Sequence, residues 1–258
     1  MMETFFSEEK GDEHMWKKFF KEVTDLTARV QETQAEAIQE SARMIARAIE
    51  SERVVHTFGS GHSSLVAQEI FCRAGGIVPV NAILDPSFLL SNGALRSSAM
   101  ERTPGTAATA ASGHDIRSGD VAIIISNSGK NVAPVEMALK MKDMGAEVIA
   151  LTSLEHSKSV ESAHSSKKRL FEVADVVIDN LGPAGDATLE IEGVNAPMGA
   201  TSGIIGGIIL HAIVIEATSI LAKKNKAPAI FRSVNMDTAQ MEQLAKELTR
   251  YRGRIKHL

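Results

Sequence analysis

The run Val121-Ala122-Ile123-Ile124-Ile125 constrains this chain more than any other feature. Five apolar residues without alternation, bounded by Asp120 and Ser126, read as a strand covered on both faces. Such strands belong to parallel sheets, and the rest of the chain supplies the other parts. Val54-Val55-His56-Thr57-Phe58, Ile77-Val78-Pro79-Val80, Glu147-Val148-Ile149-Ala150-Leu151 and Val176-Val177-Ile178 predict four further strands. The second is short and near an edge because of Pro79. Helical patterns lie between them over 63–74, 132–144 and, more weakly, 157–168. Residues 13–51 hold neither proline nor glycine and predict a long amphipathic helix, or two with a short break. An irregular segment over 85–119, an apolar helix over 201–224, a loop containing Pro228 and a polar helix over 238–250 complete the chain. Strands alternating with helices define an α/β fold, a parallel sheet with helices on both faces.

Charge and cysteine content narrow the chemistry. A net charge of −4 and a pI near 6.1 give no general attraction to nucleic acid or an anionic membrane, so neither is expected as a partner. Any anion must therefore be captured locally. Cys72 is the only cysteine, which excludes an internal disulfide and a zinc site made of thiolates. It reads as a small core residue. Residues 1–12 lack the basic and apolar regions of a signal peptide. The apolar stretch 204–221 is interrupted by Gly206, Gly207, His211 and Glu216, which reads as a helix buried in protein. The expected location is the cytoplasm.

Ligands of open parallel sheets bind beyond the carboxyl ends of the strands. Two loops there share one composition: Gly59-Ser60-Gly61-His62-Ser63-Ser64 after the first strand, and Ser126-Asn127-Ser128-Gly129-Lys130-Asn131 after the third. A third cluster, Gly199-Ala200-Thr201-Ser202-Gly203, precedes the apolar helix. Free backbone N–H groups and the positive end of a helix dipole suit a phosphate, and small hydroxyls add donors without bulk. Serine, threonine and asparagine also cap helices everywhere. Three such clusters, two of them directly after strands, exceed what capping requires. Ser64 stands where a dinucleotide loop needs its third glycine, and no P-loop pattern occurs. Aromatic residues make up 4% of the chain, which argues against flavin stacking. No cofactor is expected.

These two loops resemble the signature loops of the SIS (sugar isomerase) domain family, nearest to its phosphoheptose isomerase-like phosphosugar-binding proteins. The resemblance runs over about 31–224, with 1–30 as a helical extension and 225–258 as a loop and helix packing on the domain. It implies a flavodoxin-like five-stranded parallel sheet and a phosphorylated sugar as ligand. Gly61, His62, Ser63, Ser126, Asn127, Ser128 and Asn131 would then be phosphate-loop positions, completed by Thr201 and Ser202. The family includes aldose–ketose isomerases and non-catalytic sensory domains. Both activities stay open, with isomerase preferred.

Isomerisation needs a base to move a proton between carbons and a partner to serve the oxygens. Glu69 lies about two turns past the Ser63 loop, and His211 about two turns past Ser202. Each matches a position that phosphoheptose isomerases fill with histidine. Arg73 and Gly203 stand where those enzymes have glutamate and glutamine, so no metal set carries over. A lone histidine on an apolar helix is ordinarily a core residue, and Glu69 has an ordinary ion-pair partner in Arg73 one turn on. Glu101 is a weaker candidate in the irregular segment. Met137, Met141 and Met144 read as core. The long first helix and the apolar helix offer more hydrophobic face than one sheet covers, so at least a homodimer is expected. Ser233 and Asn235 would then reach a neighbour's site.

Overall fold

The computed structural model describes residues 14–232 and 241–258. Two helices lead in, α1 (Met15–Thr33) and α2 (Ala35–Glu50). They part at Gln34, whose backbone leaves the helical region and whose Oε1 accepts the Asp179 amide at 3.1 Å. Next come β1 (Val55–Gly59), α3 (Ser63–Gln68), β2 (Val80–Ala82), α4 (Ala94–Met100) and α5 (Thr106–Ser112). Then follow β3 (Val121–Ile125), α6 (Val132–Asp143), β4 (Glu147–Thr152), α7 (Leu154–Lys158) and β5 (Val176–Asp179). A small hairpin of β6 (Ala187–Leu189) and β7 (Met198–Ala200) leads into α8 (Ser202–Lys223), and α9 (Met241–Tyr251) ends the series.

The main sheet is parallel with order β2-β1-β3-β4-β5, the flavodoxin-like arrangement. Chain order reverses between β1 and β3, where Gly59 pairs with Ile125. The loops after these two strands therefore leave side by side at the switch point, the place where such sheets bind ligands.

Strand β3 shows why an unbroken apolar run was needed. Ile123 and Ile125 join a core shared with α2, α3 and α8, while Ala122 and Ile124 join one shared with α5 and α6. Full burial of each isoleucine stabilises by about 1.5–3 kcal/mol. Helix α8 passes close to α3 and β4 because Gly206 has no side chain; a Cβ there would meet Val66 at 3.0 Å. It is long and apolar enough to cross a membrane, yet Ile205, Ile209, Leu210, Ile213 and Leu221 are buried in the first core. A third, smaller core forms at the amino ends of the strands, where Val54 and Val78 meet Phe231, Leu244, Tyr251 and Ile255.

Several boundaries differ from the sequence expectation. The helix after β1 stops at Gln68, short of residue 74: the amides of Glu69 and Phe71 turn to the carbonyls three residues back, and Cys72 then takes a positive φ of 47°. Cys72 is exposed and is not a core residue. Residues 157–168 hold no long helix. The short α7 ends at Lys158, and beyond it Ser162, Ser166 and His164 satisfy the loop through their own side chains. The segment 85–119 carries two short helices, the second capped by the Glu136 carboxylate, which accepts the amides of Gly105, Ala107 and Ala108. Met137 and Met141 are fully buried. Ser233 and Asn235 lie outside the described residues.

Candidate functional site

The loop after β1 turns sharply. A Cβ on Gly59 would lie 2.3 Å from the Ser63 carbonyl oxygen, so only glycine permits this close approach. Gly61 has φ +58° and donates its amide to Phe88 O at 3.0 Å. The amides of Ser63 and Ser64 go to Ser60 and Gly61 carbonyls, and Ser64 Oγ also donates to Gly61 O. Backbone donors in this loop are thus largely consumed. What it offers are the side chains of His62 and Ser63, which have no hydrogen-bond partner among the described residues.

The loop after β3 is the opposite case. Ser126 is buried, and its Oγ accepts the Gly129 amide at 3.2 Å, which closes the turn. Gly129 has φ +57°, and a Cβ there would press to 2.8 Å from Ser157 Oγ. The amides of Asn127, Ser128, Lys130 and Asn131 find no acceptor among the described residues. They sit at the N-terminus of the 12-residue α6, where the dipole adds positive potential. Asn127 Oδ1 accepts Asn180 Nδ2 at 2.9 Å, and Asn180 Oδ1 is itself held by the Gly182 amide. That chain fixes which way the Asn127 amide faces and leaves its buried Nδ2 with no acceptor. Asn131 Oδ1 is likewise buried and unpartnered. Buried polar groups are normally satisfied, so this concentration of orphans sets the loop apart from a closed core.

The third cluster is occupied from within. Asp186 accepts the amides of Thr201 at 3.1 Å and Ser202 at 2.8 Å, and Ser202 Oγ donates to it at 2.5 Å. A carboxylate of the chain itself therefore caps α8. Thr201 Oγ1, fully buried, keeps no partner.

Glu69 at the end of α3 and His211 on α8 meet: His211 Nε2 lies 3.2 Å from Glu69 Oε1, and both side chains are half-buried. Arg73 pairs with the same oxygen. Glu69 also lines a cavity of about 490 Å³ with His62, Asp186, Ser202, Leu65 and Ile204. The structure thus joins His62, Glu69 and Ser202 around one cavity, with His211 behind Glu69. The 126–131 loop connects to this group through Asn180, Gly182 and Asp186, and does not line the cavity itself. Glu101, at the end of α4, does not line the cavity, and its carbonyl accepts the Ala133 amide at 2.9 Å in the first turn of α6, next to the 126–131 loop. Among the described residues no group of three histidine, cysteine or acidic side chains is placed to hold a metal.

Asn180 and Asp186 were missed from sequence. For Asn180 the signal was present, since Asp179-Asn180-Leu181-Gly182 directly follows the predicted strand 176–178 just as the two recognised loops follow theirs.

A parallel sheet in flavodoxin-like order, with a donor-rich loop at its switch point, defines the class, and comparison with known proteins places the chain within it. The SIS domain signature matches residues 18–153. A UPF0309 protein of Halalkalibacterium halodurans is 41% identical over 87% of this chain and 91% of its own length. Another, from Caldanaerobacter subterraneus, is 39% identical over 93% and 98%. The chain belongs to the SIS domain family and, within it, to the UPF0309 proteins. Solved structures of similar fold include the phosphoheptose isomerase of Neisseria gonorrhoeae, with a TM-score of 0.55 at 17% identity over 80% of this chain and 97% of that one. The Vibrio vulnificus NanR protein complexed with ManNAc-6P has a TM-score of 0.51 at 15% identity over 84% and 65%.

Proposed function

We propose that this chain binds a phosphorylated sugar and interconverts its aldose and ketose forms. The observation that carries the reading is the loop after β3. Its free amides and the buried, unpartnered Asn127 Nδ2 form a donor cradle for a phosphate at a helix N-terminus. Ser126, Ser128 and Asn131 belong to that cradle, with Gly61, His62 and Ser63 facing it across the switch point and Thr201 and Ser202 at the start of α8. Glu69 acts as the base on the C1–C2 protons, and His211, bonded to it, serves the oxygens. No metal or cofactor is required by this scheme.

A second reading has its own support. Arg73 shares Glu69 Oε1 with His211, so that oxygen already has two partners, and a pocket so occupied suits recognition without turnover. Turnover measurements separate the two. Under the isomerase reading, Glu69→Gln and His211→Ala each bind a sugar phosphate as the parent does and lose conversion. If the parent binds sugar phosphates and converts none, the binding-protein reading stands.

The assembly we propose is a homodimer through α1 and α8. Trp16, Phe20, Ile204, Ile208 and Ile215 are large apolar side chains left exposed on these helices. Light scattering at micromolar concentration reads the mass directly, and a strictly monomeric value contradicts the proposal.

A further inference from the structure

A buried polar network lies at the amino ends of the strands, opposite the candidate site. Asp120, just before β3, is fully buried and accepts five hydrogen bonds: from the amides of Val54 and Arg117, from His56 Nε2, and twice from Arg254. The other nitrogen of His56, Nδ1, lies 2.9 Å from Asn81 Nδ2. The same Nδ2 lies 3.0 Å from Nδ1 of His114. Asn81 Oδ1 accepts the amide of Lys256 at 3.3 Å. His56 and Asn81 are fully buried, and His114 nearly so.

These bonds assign the protons. Asn81 presents its oxygen to the C-terminal segment, so its N–H₂ faces both rings and each Nδ1 is an acceptor. His56 then carries its hydrogen on Nε2, facing Asp120. Arg254, Lys256 and the Asn81 contact all belong to residues 252–258, and Ile255 adds an apolar anchor in the small third core.

We propose that residues 252–258 form a proton-released latch, docked on the sheet while His56 and His114 are neutral and freed when either ring takes a proton at Nδ1. A proton there sets donor against donor at Asn81. Turning the amide to accept it places N–H₂ against the Lys256 amide. A cationic His56 also competes with Arg254 for Asp120, and a cationic His114 faces Lys256 and His257 of the segment, opposed by Asp85 from the loop after β2. Asp115 holds Arg254 and Arg117 at the rim and is engaged throughout. Burial and these cations hold His114 down at about 4, consistent with a neutral ring in the docked form. By linkage, docking and proton uptake oppose each other equally.

Hydrogen exchange of the full chain, corrected for the intrinsic effect of pH, tests this. Between about pH 7.5 and about pH 5, protection of 252–258 falls about tenfold or more while β1 and β3 keep theirs. The double variant His56→Gln, His114→Asn retains acceptors for Asn81 and cannot titrate, so it keeps the segment protected at both pH values. Protection unchanged in the parent, or lost equally in parent and variant, overturns the proposal. Should the double variant not fold, Arg254→Met in the full chain decides by histidine ring NMR: the His114 titration moves to higher pH, and an unchanged titration overturns the latch.

Discussion

The two ends of the sheet treat polar groups in opposite ways. At the carboxyl ends, Asn127 Nδ2, Asn131 Oδ1 and Thr201 Oγ1 are buried without partners, and a run of amides has no acceptor. At the amino ends, Asp120, His56 and Asn81 are fully buried and every side-chain polar atom of the three is bonded, while Arg254 Nε beside them is buried with no hydrogen bond and faces Asp115 at 3.2 Å. Unpaired buried groups cost free energy, so several of them gathered at one loop call for a partner that completes them. On the proposed function, the contrast separates a surface prepared for a ligand from one already filled by the chain's own C-terminal segment.

The largest expected effect is at the filled end. Asp120→Ala leaves Arg254, His56 and the Val54 and Arg117 amides without their acceptor, and costs roughly 3–5 kcal/mol of stability by denaturant unfolding. A loss below about 1 kcal/mol would show that the network contributes little. Acidification is next in size. The folded state lowers His114 from 6.5 to about 4, so the native chain binds fewer protons than the unfolded one. Its contribution is whole above pH 6.5 and is lost as pH falls towards 4, by at most about 3 kcal/mol. In His114→Asn this part of the slope is absent.

The open end responds in binding more than in stability. Ser126→Ala with Ser128→Ala weakens sugar-phosphate binding by about 1–3 kcal/mol in calorimetry, with the fold retained. Asn127→Asp keeps the Oδ1 that Asn180 bonds and replaces the unpartnered donor with an oxygen that repels a phosphate, so it weakens binding while changing unfolding by less than about 1 kcal/mol. Equal losses of stability and binding would make Asn127 a structural residue and erase the contrast.

Periodicity made much of this legible. The strand Val121–Ile125 was readable to the residue, because continuous burial on both faces leaves no other pattern. The hydroxyl-rich loops were readable because they directly follow strands. The helix ends were less so, since a positive φ at Cys72 and side-chain bonds within residues 162–168 are tertiary choices that composition does not reveal. Asp186 at the start of α8 depends on a hairpin of two three-residue strands, too short to leave a pattern. The His56–Asp120–Asn81–His114 network is assembled from residues up to 64 positions apart, and Arg254 lies 134 from Asp120, so spacing alone could not show it.

The central claim is that the loop at 126–131 takes a phosphate carried on a sugar. Calorimetric titration with paired ligands, each sugar phosphate against its unphosphorylated parent, tests it on the wild-type chain and on Asn127→Ala. The account predicts binding of at least one phosphorylated member, none of its parent sugar, and weaker binding in the variant. Equal binding of phosphorylated and free sugar, or phosphate-dependent binding that Asn127→Ala leaves unchanged, would contradict it.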